Sequence, residues 1–153
     1  MANAKPITIL MADDDPDDRQ LTKEAFEEAK LANDLRFVED GVELLDYLHR
    51  RGKYADPATS PRPGIILLDL NMPRKDGREA LAEIKQDARL RAIRVVVLTT
   101  SKAEEDILRT YNLSAASYIT KPVTFEGLVD VIKTLGKYWL EIVELPENGD
   151  SAG

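Results

Sequence analysis

Five short, mostly apolar runs of strand length divide the chain, and each is followed by a stretch with helical character. The runs cover residues 7–12, 35–38, 65–68, 94–100 and 117–120. Large aliphatic residues in an unbroken run are typical of strands buried on both faces of a parallel sheet. The intervening stretches predict helices from residue 15, over 41–51, over 76–84, over 101–113 and over about 124–143. Strand and helix alternate five times, so the pattern predicts a doubly wound α/β fold with a largely parallel sheet.

The first helix carries clear start signals. Asp15 precedes Pro16, which is the arrangement of an N-cap followed by proline at the first helical position. Asp17 and Asp18 suit the positive end of the helix dipole, and we interpret the three aspartates as a solvated acidic cap. The inward face is predicted to contain four apolar residues: Leu21, Ala25, Phe26 and Ala29.

Composition limits the class of protein. With 153 residues and a mass of 17.1 kDa, the chain has the length of one domain. Its 43% apolar and 32% charged residues are those of a soluble globular protein, and no apolar run approaches the roughly 20 residues of a membrane span. The N-terminus makes a poor signal peptide, so we expect a cytoplasmic protein.

The inventory of reactive and charged residues excludes several functions. There is no cysteine and one histidine, so disulfides, thiol chemistry and a histidine-rich metal site are excluded. A net charge of −7 and a pI near 4.8 argue against direct binding of nucleic acid, which relies on a basic surface. We therefore expect a protein partner.

Polar residues follow four of the five predicted strands. The carboxyl ends of parallel strands share one edge of the sheet, where such folds bind their ligands, so these residues should meet. They are Asp13, Asp14, Asp69, Asn71, Thr99, Thr100, Ser101 and Lys121. We interpret Thr100 as an ordinary strand residue. Two like charges about 4 Å apart repel by about 4 kcal/mol at an effective dielectric near 20, so the carboxylates need a cation.

The chemistry of this set points to phosphoryl transfer. Oxygen ligands without imidazole or thiolate favour Mg²⁺ or Mn²⁺. An aspartate beside such a cation and a lysine has a nucleophile, a metal for the phosphoryl oxygens and a second positive charge. The sequence therefore predicts that Asp69 accepts a phosphoryl group, with Lys121 beside it.

Four motifs resemble the receiver domains of two-component response regulators. They are "ILMADDDPDD", "IILLDLNMPRKDG", "VVVLTTS" and "SYITKP", and they occur in the family's order over about residues 7–135. The resemblance implies a flavodoxin-like fold with strand order 2-1-3-4-5. It also implies that a histidine kinase phosphorylates Asp69, and that the domain is a phosphoacceptor rather than a conventional enzyme.

The resemblance further assigns the metal ligands. Asp14 should bind Mg²⁺ directly, and Asp13 should assist, often through water. An oxygen of Asp69 and the backbone carbonyl of Asn71 should complete the protein ligands. Lys121 should pair with a phosphoryl oxygen, and its bond to the following proline is expected to be cis.

Switch and tuning residues follow from the same resemblance. Thr99 should be drawn to the phosphoryl group, and Tyr118 should change rotamer with it, although Tyr118 could equally be a core residue. Asn71 and Ser101 should tune hydrolysis of the acyl phosphate. Their small side chains predict a phosphoryl lifetime of intermediate length.

The C-terminal segment departs from a minimal receiver. We predict a receiver domain over residues 1–145 with an extended last helix, and a disordered tail over 146–153. Apolar residues continue beyond the usual end of the family, near residue 137, into "WLEIVEL", which starts at Trp139. An apolar stripe without an intramolecular cover marks an interface, so we expect a homodimer through this helix. Together with a proline-rich loop over residues 52–64, the segments "NMPRKDGREALAEIK" and "FEGLVDVIKTLGKYWLEIVELP" most resemble single-domain receivers that pair with phytochrome-type histidine kinases.

Three other functions compete with this interpretation. A phosphohydrolase of the haloacid dehalogenase type also uses an aspartyl phosphate, but it normally needs a second aspartate where this chain has Asn71. An FMN-binding flavodoxin needs a phosphate cradle where this chain has acids. A pseudo-receiver would act only as an interaction module. Because no output domain follows residue 145, we expect output by protein contact or by phosphotransfer to a histidine-containing carrier.

Overall fold

The computed structural model describes residues 7–31, 33–70, 72, 74–75, 77–99, 101–110, 117–122 and 124–137. Its five strands are β1 Thr8–Ala12, β2 Asp34–Val38, β3 Ile65–Asp69, β4 Arg94–Thr99 and β5 Ser117–Thr120. Its helices are α1 Pro16–Glu28, α2 Gly41–His49, α3 Gly77–Gln86, α4 Lys102–Thr110 and α5 Phe125–Leu135, with a 3₁₀ turn at Gly52–Tyr54. The strands form one parallel sheet in the order β2-β1-β3-β4-β5. The doubly wound α/β prediction is confirmed, including the flavodoxin-like strand order.

The sheet separates two apolar cores. Alternate residues of a strand point to opposite faces, so Leu10 and Ala12 of β1 pack with α2 and α3, while Ile9 and Met11 pack with α1 and α5. Every residue of β3 is buried, and its final residue is the charged Asp69. The burial of both faces explains the unbroken apolar runs in the sequence.

The first helix begins as predicted, but its buried face differs from the prediction. Asp15 is the N-cap, and its side chain accepts a hydrogen bond from the Asp17 amide at 2.9 Å. Leu21 was predicted to face inward, which is wrong, since it is 43% exposed. Thr22 is buried instead. Its hydroxyl donates to the Asp18 carbonyl at 2.8 Å, so burial leaves no polar group unsatisfied.

Most helix boundaries lie within a few residues of the predictions. Ser101 caps α4, because its hydroxyl accepts a hydrogen bond from the Glu104 amide at 3.1 Å. The predicted continuation of α4 to residue 113 lies outside the described residues. The predicted continuation of α5 past 137, with the apolar stripe around residue 139, lies outside them as well.

Candidate phosphoacceptor site

Three strand ends bring the predicted site residues together. Asp13 follows β1, Asp69 ends β3, and Lys121 follows β5. The Lys121 amide donates to the Thr99 carbonyl at 2.8 Å, which extends the pairing of β5 with β4 to the edge of the sheet. The rule that carboxyl ends of parallel strands share an edge places these residues correctly, despite more than 100 positions between Asp13 and Lys121.

The Lys121 ammonium lies at the centre of the site. Its Nζ donates to Asp13 Oδ2 at 3.2 Å, to Asp69 Oδ2 at 3.2 Å and to Asp18 Oδ2 at 2.8 Å. Burial lowers the pKa of Lys121, but the hydrogen bond to Asp18 and the charges of Asp69 and Asp13 outweigh burial and raise it. Lys121 is therefore a fixed positive charge at neutral pH.

The acidic residues form a tight cluster of oxygen ligands. Carboxylate oxygens of Asp13, Asp14 and Asp69 lie within 4.8 Å of one another. Asp13 is fully buried and Asp69 is 5% exposed, whereas Asp14 is exposed. Burial, opposed by the Asp15 amide and by Lys121, raises the pKa of Asp13 to about 6. Three hard oxygen ligands with one open side fit a divalent cation such as Mg²⁺ or Mn²⁺.

Asp18 belongs to this site, which the sequence did not indicate. We interpreted it as a solvated cap residue, and that interpretation is wrong because its carboxylate makes the shortest of the three contacts to Lys121. Asp18 does not directly follow a strand. The strand-end rule therefore misses it, although its place in the first turn of α1, five residues after Asp13, brings it back over the same edge.

The predicted switch hydroxyl lies beside this cluster. Thr99 is 1% exposed, and its Oγ1 lies 3.2 Å from the Ser101 carbonyl and 3.5 Å from Thr120 Oγ1. The Thr120 hydroxyl in turn donates to Glu105 at 3.2 Å, and Glu105 is 5% exposed. A chain of polar contacts thus runs from Thr99 to α4. Sequence reasoning missed Glu105, because one acid of the "AEED" segment cannot be distinguished from its neighbours by pattern.

The remaining predictions concern Tyr118, Asn71, Thr100 and the peptide bond before Pro122. Tyr118 is half-buried and packs against the core that contains α2 and α3. Asn71 and Thr100 lie outside the described residues. The peptide bond between Lys121 and Pro122, implied to be cis by the resemblance, is trans, so that expectation is wrong here. The trans isomer is favoured by about 0.5–1 kcal/mol when the surroundings do not select the cis form.

The loop after the acceptor strand is tied to α2. Arg74 has a positive φ of 65° and donates two hydrogen bonds to Asp40, at 2.8 and 3.0 Å. The Gly41 amide donates to the Lys75 carbonyl at 3.0 Å. A Cβ atom on Gly41 would lie 2.1 Å from that carbonyl oxygen, so the close approach requires glycine. These contacts hold the segment that follows Asp69 against the start of α2.

The parallel sheet in the order 2-1-3-4-5, with acids and a lysine at its carboxyl edge, defines a flavodoxin-like α/β protein with a charged site. Residues 9–133 match the family model of the response regulator receiver domain. The chain therefore belongs to the response regulator receiver family. Within the described residues, no helix has the length and apolar character needed to cross a membrane.

Individual relatives are similar over nearly the whole chain. The chain is 41% identical to the response regulator Rcp1 of Synechocystis sp. over 92% of its own length and 94% of that protein. It resembles the Mn²⁺-bound form of Rcp1 with a TM-score of 0.76 and 40% identity, covering 89% of this chain and 96% of that one. It resembles the phosphorylated cyanobacterial phytochrome response regulator RcpA with a TM-score of 0.79 and 41% identity, covering 89% and 95%. The chain is thus related to phytochrome response regulators.

Proposed function

We propose that this protein accepts a phosphoryl group from a histidine kinase onto Asp69 in a Mg²⁺-dependent reaction. The observation that carries the proposal is the Asp69 carboxylate, 3.2 Å from the Lys121 ammonium and clustered with Asp13 and Asp14. A phytochrome-type kinase is the proposed donor, supported by the similarity to RcpA, a phytochrome response regulator. We place the reaction in the cytoplasm.

The chemical step is a nucleophilic substitution at phosphorus. One carboxylate oxygen of Asp69 forms a bond to the phosphorus while the bond from phosphorus to the donor's imidazole nitrogen breaks. The electron pair of the broken bond stays on that nitrogen. Lys121 donates to a phosphoryl oxygen and balances its negative charge, which is the electrostatic part of phosphoryl transfer that a protein side chain supplies.

Asp13, Asp14, Asp69 and the carbonyl of Asn71 are the proposed metal ligands. Mg²⁺, or Mn²⁺ in its place, supplies positive charge to the phosphoryl oxygens when bound. The exposed Asp14 is suited to direct coordination, and the buried Asp13 to support through water. The donor set fits either cation, because it offers oxygen atoms alone.

The remaining residues are proposed to change conformation on phosphorylation and to set how long the phosphoryl group stays on Asp69. Thr99 turns its hydroxyl toward the phosphoryl group and leaves its contacts with Ser101 and Thr120, and Tyr118 changes rotamer with it. Asn71 and Ser101 set the rate of hydrolysis, for which we propose an intermediate lifetime. The receiver is proposed to span residues 1–145, with a disordered tail over 146–153, and to form a homodimer through the extended last helix.

Intact mass after incubation with acetyl phosphate tests the phosphoacceptor function. We expect a gain of one phosphoryl group with Mg²⁺, no gain with a chelator, and no gain for Asp69→Asn. Asp130→Asn is the matched control, since Asp130 is exposed on α5. Absence of any gain in the native protein would contradict the proposal and favour the pseudo-receiver.

A further inference from the structure

The Lys121 ammonium has three N–H donors and three carboxylate acceptors. Two of the acceptors, Asp13 and Asp69, belong to the proposed metal and phosphoryl site. The third is Asp18, whose Oδ2 lies 2.8 Å from Nζ, against 3.2 Å for each of the others. The closest partner of the lysine is therefore a residue with no assigned role.

The backbone fixes Asp18 in place on a rigid element. It lies in the first turn of α1, and its carbonyl accepts the hydroxyl of the buried Thr22 at 2.8 Å. Its side chain is 35% exposed, and that of Lys121 is 25% exposed. Both line a surface groove bounded by Leu21 and Phe125. Asp18 thus contacts the ammonium within the groove that both residues line.

The proposed function gives the carboxylates around Lys121 different roles. A divalent cation on Asp13 and Asp69 competes with Lys121 for the same two carboxylates and repels its ammonium group. Asp18 lies outside the cluster of three carboxylates that can share a cation, so its charge stays available to the lysine. We propose that Asp18 is a positioning residue that holds Lys121 in place for the phosphoryl group on Asp69.

Loss of Asp18 should impair the positioning of the Lys121 ammonium without removing any group that reacts. The lysine side chain has four rotatable torsions, and an ammonium held at one site fewer spends less time where a phosphoryl oxygen needs it. The rate of phosphoryl uptake should fall, while the mass gained at completion stays at one phosphoryl group. Asn at this position keeps an acceptor oxygen without the charge and should restore part of the rate.

A time course of intact mass with acetyl phosphate and Mg²⁺ tests the proposal. We expect Asp18→Ala to slow the initial rate by about fivefold, a typical coupling between residues in contact, and Asp18→Asn to fall between it and the native protein. Asp17→Ala removes the same charge from the same helical turn and is the matched control. It should stay within about twofold of the native rate, as expected for an exposed charge. A rate for Asp18→Ala equal to that of Asp17→Ala, or faster than native, would overturn the positioning role.

A double-mutant cycle separates positioning from a general structural effect. In a Lys121→Ala background, Asp18→Ala should slow uptake no further, because its partner is already gone. The same cycle in urea unfolding without metal provides a readout that needs no phosphoryl transfer. There the two changes together should shift the midpoint by less than the sum of the single shifts. Additive effects in both measurements would refute the proposal.

The outcomes also distinguish this proposal from the function on which it rests. If the native protein never gains a phosphoryl group, the phosphoacceptor function fails and the positioning role fails with it. If the native protein gains the group and the Asp18 variants behave like Asp17→Ala, the function stands and the positioning role alone is wrong.

Discussion

Lys121 is one positive charge held by three carboxylates, two of them almost fully buried. Removing it takes away the ammonium group that all three carboxylates contact, while Asp13 and Asp69 stay buried. We expect Lys121→Met to lower the free energy of unfolding without metal by about 1–3 kcal/mol, the usual cost of removing one partner from a buried polar contact. Urea unfolding in the presence of a chelator measures this.

Lys133→Met is the control for Lys121→Met, because Lys133 is exposed on α5. It should change stability by less than about 0.5 kcal/mol. If Lys121→Met were as stable as this control, the contacts of the ammonium would contribute nothing measurable to the fold.

The stability of the fold should depend on pH through Asp40, and the contacts of Asp40 determine the direction of that dependence. Burial raises its pKa, but hydrogen bonds from Arg74 and from the Glu43 amide outweigh burial and hold the pKa below its usual range. A carboxyl with a lowered folded-state pKa adds stability above its unfolded pKa, 3.8, and loses it as the pH falls through the lower folded value.

Asp40→Asn keeps the helix cap and removes this charge. Urea unfolding should show the native protein to be more stable than Asp40→Asn at pH 7, with the difference beginning to fall at about pH 4 and vanishing once the pH is below the lowered folded-state pKa. Asp40→Ala removes the cap as well and should cost about 1 kcal/mol more at either pH. A difference in stability between the native protein and the Asp40→Asn variant that grows on acidification would contradict the assignment.

Single residues also show how far sequence reasoning extends. Asp13, Asp69 and Lys121 could be predicted to meet because each lies at a strand end. Asp18 could not, since its contact depends on how the first turn of α1 sits over the sheet edge and on the reach of a lysine side chain. A charged residue in a helical turn is interpreted by default as exposed to solvent, and the sequence pattern gives no signal against that interpretation.

At the scale of elements, the junction of α2 with the loop after β3 makes a distinct prediction. Gly41→Ala forces a Cβ into the Lys75 carbonyl, so it should destabilise the fold by about 1–3 kcal/mol, the usual cost of overpacking. Gly52→Ala is the contrast: Gly52 has a φ of 59° with nothing near its Cβ position. It should cost about 1 kcal/mol, from backbone strain alone.

Phosphoryl uptake separates the two glycine variants. Gly41→Ala should also slow uptake at Asp69, because the displaced loop follows the acceptor directly, whereas Gly52→Ala should leave the rate near native. Thermal unfolding and the time course of intact mass measure both effects. Equal rates for the two variants would show that the loop tolerates the displacement.

Elements could be predicted from periodicity more reliably than their buried faces. The inner strands β1, β3 and β4 could be predicted because burial on both faces demands continuous apolar runs. The inward face of α1 was misjudged at Leu21 and Thr22, since either residue fits the helical spacing. The Thr22 hydroxyl donates a hydrogen bond to the Asp18 carbonyl, so the polar side chain can be buried without an unsatisfied group.

At the scale of the whole molecule, the described part of the chain contains two apolar cores, whose residues lie between Ile7 and Leu135. We have proposed that the residues after 137 form a dimer interface. A chain that ends at Lys137 should fold, gain one phosphoryl group on Asp69 and behave as a monomer. Sedimentation equilibrium should give the full chain a mass twice its 17.1 kDa and the shortened chain the mass of a single copy.

Trp139→Ala in the full chain tests the same interface without deletion. The loss of a large aromatic residue from an interface typically costs 2 kcal/mol or more, so the dimer should dissociate at about thirtyfold higher protein concentration. Phe125→Ala is the control, because Phe125 is 37% exposed at the start of α5 and lies well before residue 139 in the sequence. A shortened chain that still sediments as a dimer would move the interface to the described part of the molecule. A full chain that sediments as a monomer with and without phosphorylation would remove the dimer altogether.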